Sequence, residues 1–181
     1  MDSNIVLEIL KKLKSQKTQG INEGLNLLKE LKDCAIEEKF GRRQGNTARR
    51  NLAKIIDEFL ILMKDQNWHI RYAAVRGLER IAFSDEAEAR VFEITDNLLE
   101  SLYDSDGKVR RATVYALDSI RIYFPDDFYV EIFLLLQDFY DGETDPKKRR
   151  SIDQALSILY CPHLEFLLLS RGFEPVAGVA S

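Results

Sequence analysis

Three arginines, Arg71, Arg110 and Arg149, recur at an interval of 39 residues, and guanidinium forks at a fixed spacing suit the gripping of phosphates or carboxylates. A second concentration of positive charge, Arg42, Arg43, Arg49, Arg50 and Lys54, lies in a glycine-punctuated loop running into a helix start, where backbone amides and the helix dipole already favour an anion. Nucleic acid or an acidic protein surface would suit that segment. Beyond Phe40 it lacks the interleaved aromatics that stack single-stranded bases. Gly41…Gly45-Asn46-Thr47 lacks the Gly-Lys-Ser/Thr ending of a phosphate loop, and no strand pattern precedes it. Trp68, the single tryptophan, reads either as an aromatic anchor for a partner or as a ring folded over the neighbouring turn.

Signals for catalysis are thin. Cys161-Pro162-His163 offers two metal ligands where a structural zinc takes four and a catalytic one three, and His69 is far away in sequence. A nucleophile needs a base within hydrogen-bond reach, and two histidines with no supporting motif do not supply one. Cys34 sits among Leu31, Ala35 and Ile36 as a small core residue would. The thirty acidic residues single out no carboxylate pair for glycosidic cleavage. The expectation is a chain with no enzymatic activity, no cofactor and no metal.

The composition sets the frame for these side chains. With 181 residues, 45% hydrophobic and 31% charged, the chain has the size and balance of one soluble domain. It has no apolar run long enough to span a membrane and no signal-peptide pattern at its start. Two cysteines are too few for a disulfide framework and point to a reducing, cytoplasmic setting. A net charge of −4 argues against a general nucleic-acid coat. The charge is uneven: residues 1–90 hold 17 basic and 14 acidic side chains, residues 91–181 hold 9 and 16, a net of +3 against −7.

The elements that must position these residues repeat. Ile70-Arg71-Tyr72-Ala73-Ala74-Val75-Arg76-Gly77-Leu78 lies over Val109-Arg110-Arg111-Ala112-Thr113-Val114-Tyr115-Ala116-Leu117, and a second step of 39 reaches Lys148-Arg149-Arg150-Ser151-Ile152-Asp153-Gln154-Ala155-Leu156. Within each copy, small or apolar residues recur at three and four, the stripe of an amphipathic helix. Asn67, Asp106 and Asp145 occupy equivalent N-cap positions, with Pro146 at a first helical residue. Ahead of each copy runs another helical pattern: Thr47–Lys64, Asp85–Tyr103 and Pro125–Tyr140. A looser pair, Ser3–Leu13 and Ile21–Glu38 with Gly20 near the break, precedes them, and His163–Ser170 follows Pro162. Divergent ends are what a solenoid's caps require.

A unit of about 40 residues with an Asp in the turn and Val/Ile-Arg-x-Ala opening the second helix resembles the HEAT repeat. The matching residues are Asp65…Ile70-Arg71-Tyr72-Ala73, Asp104…Val109-Arg110-Arg111-Ala112 and, more weakly, Asp145…Lys148-Arg149-Arg150-Ser151. The resemblance implies an all-α solenoid of about four helical pairs plus a C-terminal capping helix. Residues 1–38 would be a divergent cap pair, 47–160 three regular repeats, 162–171 the capping helix and 172–181 a flexible tail. It also implies that Asp65, Asp104 and Asp145 form with Arg71, Arg110 and Arg149 a ladder of ion pairs running through adjacent repeats, and that the second helices line a concave surface. If 70, 73, 74, 77, 78 and 81 face inward, the exposed stripe carries Tyr72, Arg76 and Glu79, then Arg111, Tyr115 and Asp118, then Arg150, Gln154 and Ser157. Tyrosine and arginine are enriched at binding hot spots. The expected role is a non-catalytic scaffold or adaptor holding a protein partner on that face, alone or as a subunit of a larger complex, with no membrane role. The alternative is a nucleic-acid or ribonucleoprotein module using residues 42–54. HEAT-like proteins also include glycosylases and bilin-lyase-like proteins, whose residues no stretch here carries.

Overall fold

A computed structural model describes residues 4–15, 17–42 and 46–173. Among the described residues there are ten α-helices, α1 (Asn4–Leu13), α2 (Thr18–Lys39), α3 (Thr47–Leu62), α4 (Trp68–Ile81), α5 (Asp85–Glu88), α6 (Val91–Ser101), α7 (Gly107–Ile120), α8 (Asp126–Gly142), α9 (Pro146–Leu159) and α10 (Pro162–Ser170). A single 3₁₀ turn, Arg121–Tyr123, ends the third pair, and among the described residues there is no strand. The chain is an all-α solenoid: α1 with α2, α3 with α4, α5 and α6 with α7, α8 with α9, and α10 against α8.

The second helices start where their cap residues place them. Asn67 accepts from the His69 N–H at 3.0 Å, Asp106 from Lys108 at 2.7 Å and Asp145 from Lys147 at 2.8 Å, each satisfying an otherwise orphaned amide of the first turn. Gly172 takes φ +81° just past α10, and the following N–H of Phe173 returns to the Leu168 carbonyl at 3.1 Å. This is the left-handed stop that glycine tolerates without a Cβ clash.

The continuous helix expected over 85–103 is divided. Ser84 caps α5 by accepting from the Ala87 N–H, and the chain turns at Ala89-Arg90 before α6 begins. The turn lets Ala87 and Val91 both reach the core, while the Arg90 guanidinium between them crosses to Asp57 at 2.6 Å and also holds Glu93. At the N-terminus α1 ends at Leu13 and α2 begins at Thr18, three residues earlier than the Ile21 start expected and two before Gly20.

Burial follows the repeat. One continuous cluster runs from Ile9 to Leu168, and its members on the second helices are the positions the stripe predicts, such as Ala73, Ala74 and Leu78 or Ala112, Ala116 and Leu117. Small residues there let the second helices approach closely. Gly77 is the extreme case: a Cβ on it would stand 2.4 Å from the ring of the fully buried Phe59. The residues 39 further on are Leu98 and Ala116, so the larger side chain on the first helix coincides with the missing one on the second. The second helices α2, α4, α7 and α9 pack side by side in series, and in the outer layer α6 meets α8 through the edge-to-face rings of Phe92 and Phe128, 4.6 Å apart.

Candidate interaction groove

The arginine at the second position of each repeat ties turn to turn. Arg71 makes a two-pronged pair with Asp104, Nε to Oδ2 at 2.6 Å and Nη2 to Oδ1 at 2.8 Å, and its Nη1 donates to the Asp65 and Gln66 carbonyls at 2.8 and 2.9 Å. The partner is the carboxylate of the next repeat, not of its own. The Asp65 carboxylate instead accepts from the Asn67 N–H at 2.7 Å. Burial pushes the Asp104 carboxyl up, but the Arg71 guanidinium and the Asp106 N–H outweigh it and hold the group below the usual aspartate value.

Further along, the pattern changes. Buried Arg110 donates to the Asp104 and Ser105 carbonyls at 2.6 and 3.2 Å, and its Nε reaches Ser151 Oγ at 3.2 Å. Asp145, expected as the third ladder acid, is the N-cap of α9. The position 39 residues after Asp104 is Glu143, whose Oε1 accepts from the Asp145 N–H at 2.7 Å. Arg149 makes no ion pair among the described residues, and its guanidinium lies 4.3 Å from the centre of the Tyr140 ring. These arginines are therefore engaged internally and form no open rail for phosphates.

The exposed stripe is brought together as a groove along α2, α4, α7 and α9. Between α2 and α4 a cavity of about 310 Å³ is lined by Ile21, Leu25, Trp68, Tyr72 and Arg76. Between α4 and α7 a second, of about 240 Å³, shares Tyr72 and Arg76 and adds Arg111 and Tyr115. Between α7 and α9 a third, of about 390 Å³, shares Arg111 and Tyr115 and adds Gln154 and Ser157. The shared residues make the depressions continuous. Tyr115 is 50% exposed, and Arg150, one turn before Gln154 on α9, is exposed as well.

Within the groove the charges are unequally free. Arg76 pairs with Glu79 at 2.5 Å, and burial pushes the Glu79 carboxyl up against that pairing. Asp118 turns to Arg121 at 3.1 Å. Arg111 and Arg150 make no ion pair among the described residues. Trp68 is half-buried. It stacks on His69 with ring centres 3.6 Å apart and carries the Lys108 ammonium 4.7 Å above its face, so it stands in the groove wall between the two alternatives, anchor and turn cover. Sequence spacing could not reveal this contact, because Lys108 comes from the next repeat.

The basic segment before α3 is arranged differently from its expectation. Both oxygens of Glu38 accept from the Ala48 N–H at 3.1 Å, and one also accepts from Arg49 at 3.1 Å. The anion at this helix start is thus the protein's own carboxylate. Arg49 pairs with Glu86 at 2.8 Å and lies 3.9 Å from Asp85, Arg42 covers the Phe40 ring, and the Arg50 Nε donates to the Asn46 carbonyl at 3.3 Å. Lys54 is exposed, and Arg43 lies outside the described residues, as do 174–181 of the expected tail. A Glu at position 38 was visible in the sequence, but its return to the α3 amides spans a loop and left no local signature.

At the far end Cys161 and His163 have separate partners. Cys161 caps α10, its Sγ 3.5 Å from the Leu164 N–H and 3.5 Å from the Tyr129 hydroxyl, while His163 Nε2 meets Asp126 Oδ1 at 2.9 Å. The Tyr129 hydroxyl donates to the Leu159 carbonyl at 2.6 Å, and burial together with the Cys161 contact pushes its pKa up to about 12.

Comparison with known proteins agrees with this architecture. Residues 55–84 match the HEAT repeat family model. Over 95% of this chain and 69% of the other, the fold is similar to the crystal structure of an engineered protein from a structural genomics consortium, with a TM-score of 0.51 at 18% identity. A search of curated proteins found no match. No helix among the described residues is long and apolar enough to cross a membrane. The repeat of 39 residues, the arginine ties between turns and the match at 55–84 together show a helical-repeat fold and support its likeness to HEAT-repeat proteins.

Proposed function

We propose that the chain is a non-catalytic interaction scaffold that receives a protein partner in the groove along its second helices. HEAT repeats generally serve protein interaction, and one observation carries the reading to this face: a single groove crosses four consecutive second helices and presents Tyr72, Arg76, Arg111 and Tyr115. Tyrosine and arginine supply large contact area and directional hydrogen bonds, and a pre-ordered solenoid loses little entropy on binding. The same reading places the chain in the cytoplasm as an adaptor, alone or within a larger complex.

Arg111→Glu combined with Tyr115→Ala is expected to abolish retention of a partner protein from native extract at high salt after nuclease treatment, with the thermal melt unchanged. Retention that persists in this variant, or that is lost on nuclease treatment of the unaltered protein, refutes the proposal. The latter result would favour nucleic acid at residues 42–54. That alternative begins with less free charge, since Glu38 occupies the helix start and Arg49 is paired.

A further inference from the structure

We infer that the occupant of the groove is an acidic segment bound in polyproline II conformation, with carboxylates three residues apart meeting Arg111 on α7 and Arg150 on α9. The inference rests on the groove being a protein-binding face and adds the chemistry of what enters it. Its basis is the contrast between the groove and its surroundings. Residues 91–181 carry a net −7, yet Arg111 in the groove wall and Arg150, exposed one turn before the wall residue Gln154, are cations without an ion pair among the described residues, while the nearby acids Glu79 and Asp118 are already held by Arg76 and Arg121. An arriving carboxylate therefore displaces no internal partner at Arg111 or Arg150, and a guanidinium fork accepts it in two-pronged fashion.

The spacing selects the conformation. Arg111 and Arg150 are 39 residues apart and occupy the same height on adjacent helices, so their separation across the groove is the interhelical distance, about 8–10 Å. A chain in the polyproline II conformation has three residues per turn and rises about 3.1 Å per residue, so side chains three residues apart lie on one face and span about 9 Å. The residue one register step earlier, Tyr72, shares the row with Arg111 and Arg150, and Tyr115 lies beside them. Aromatic or apolar side chains between the acids therefore have surfaces to cover. A long single-stranded nucleic acid would have to carry its continuous charge past the acidic half of the molecule, which raises its cost relative to a short acidic peptide.

The test uses the full chain and fluorescein-labelled synthetic peptides read by fluorescence anisotropy at physiological salt. One peptide has Glu at every third position, a second has the same composition with its Glu residues consecutive, a third has Gln in place of Glu, and a thymidine oligonucleotide of matched length is the nucleic-acid arm. The spaced peptide is expected to bind several-fold tighter than the other three. Arg111→Ala and Arg150→Ala should each weaken it by about fivefold, the upper range for an exposed charge pair, while Lys54→Ala leaves it unchanged. Equal binding of the Gln peptide, equal binding of the clustered peptide, or tighter binding of the oligonucleotide overturns the inference. A photoreactive phenylalanine in place of Gln154 reports on the underlying face separately. Protein crosslinked there that the spaced peptide does not displace keeps the protein-binding face and overturns the acidic occupant, whereas no crosslinked protein at all overturns both.

Discussion

Arg71 and Arg149 occupy the same repeat position, and the structure predicts that the same substitution has unequal effects at the two. Methionine keeps most of the apolar stem of arginine and removes the guanidinium. At position 71 it deletes the two-pronged pair with Asp104 and two bonds to carbonyls, all between 2.6 and 2.9 Å. It also leaves a carboxylate whose side chain is only 7% exposed without its cation. Charge-assisted hydrogen bonds contribute about 1.5–3 kcal/mol each and are not additive, and stranding a largely buried charge costs about 3 kcal/mol or more. We take about 3 kcal/mol for Arg71→Met. With an unfolding entropy of about 2.1 cal/mol/K per residue, that corresponds to a fall in Tm of about 8 °C. At position 149 the substitution removes a contact with the Tyr140 ring, worth about 0.5–1 kcal/mol at an exposed site, and Tm should fall by about 2 °C. Thermal unfolding followed by far-ultraviolet circular dichroism measures both. Equal losses in the two variants would refute the reasoning that the tie depends on a carboxylate from the following repeat.

Two further outcomes follow from the same packing. Because the Asp104 pKa is depressed in the folded protein, its contribution is full above the ordinary aspartate value of 3.8 and is lost as pH falls through the lower folded value. Asp104→Asn should therefore be less stable than the unaltered protein at neutral pH and converge with it on acidification, which urea melts across pH will check; a gap constant down to strongly acid pH would contradict this. Gly77→Ala, an innocuous change by helix propensity, should destabilise by about 2 kcal/mol because the new methyl meets the Phe59 ring, whereas Gly77→Ala with Phe59→Leu, which restores the pairing found at 98 and 116, should recover most of the loss in the same denaturant titration.

The residues that share a face were legible in the sequence, since a helix of 3.6 residues per turn makes that a local property. The interval of 39 residues marked the pairs, the small and apolar positions identified the buried side, and Asn67, Asp106 and Asp145 announced the helix starts. Tyr72, Arg76, Arg111 and Tyr115 follow from the same arithmetic, and they line one groove. The break between α5 and α6 was not legible, because Asp85–Tyr103 keeps an apolar rhythm through it and the turn is stabilised by Arg90 reaching a different helix.

Which donor meets which acceptor was decided only by the tertiary structure. The sequence placed an acid and an arginine in every repeat, but Arg71 reaches forward to Asp104 because adjacent turns stack within the length of one arginine side chain. Arg110 meets a hydroxyl because the acid ahead, Glu143, turns to the Asp145 N–H, and Arg149 meets the Tyr140 ring. Glu38 closing the start of α3 and Lys108 lying over Trp68 are likewise contacts between elements. Periodicity along a chain specifies direction around each helix axis, and the distance and twist between axes emerge only when the side chains of neighbouring helices pack together.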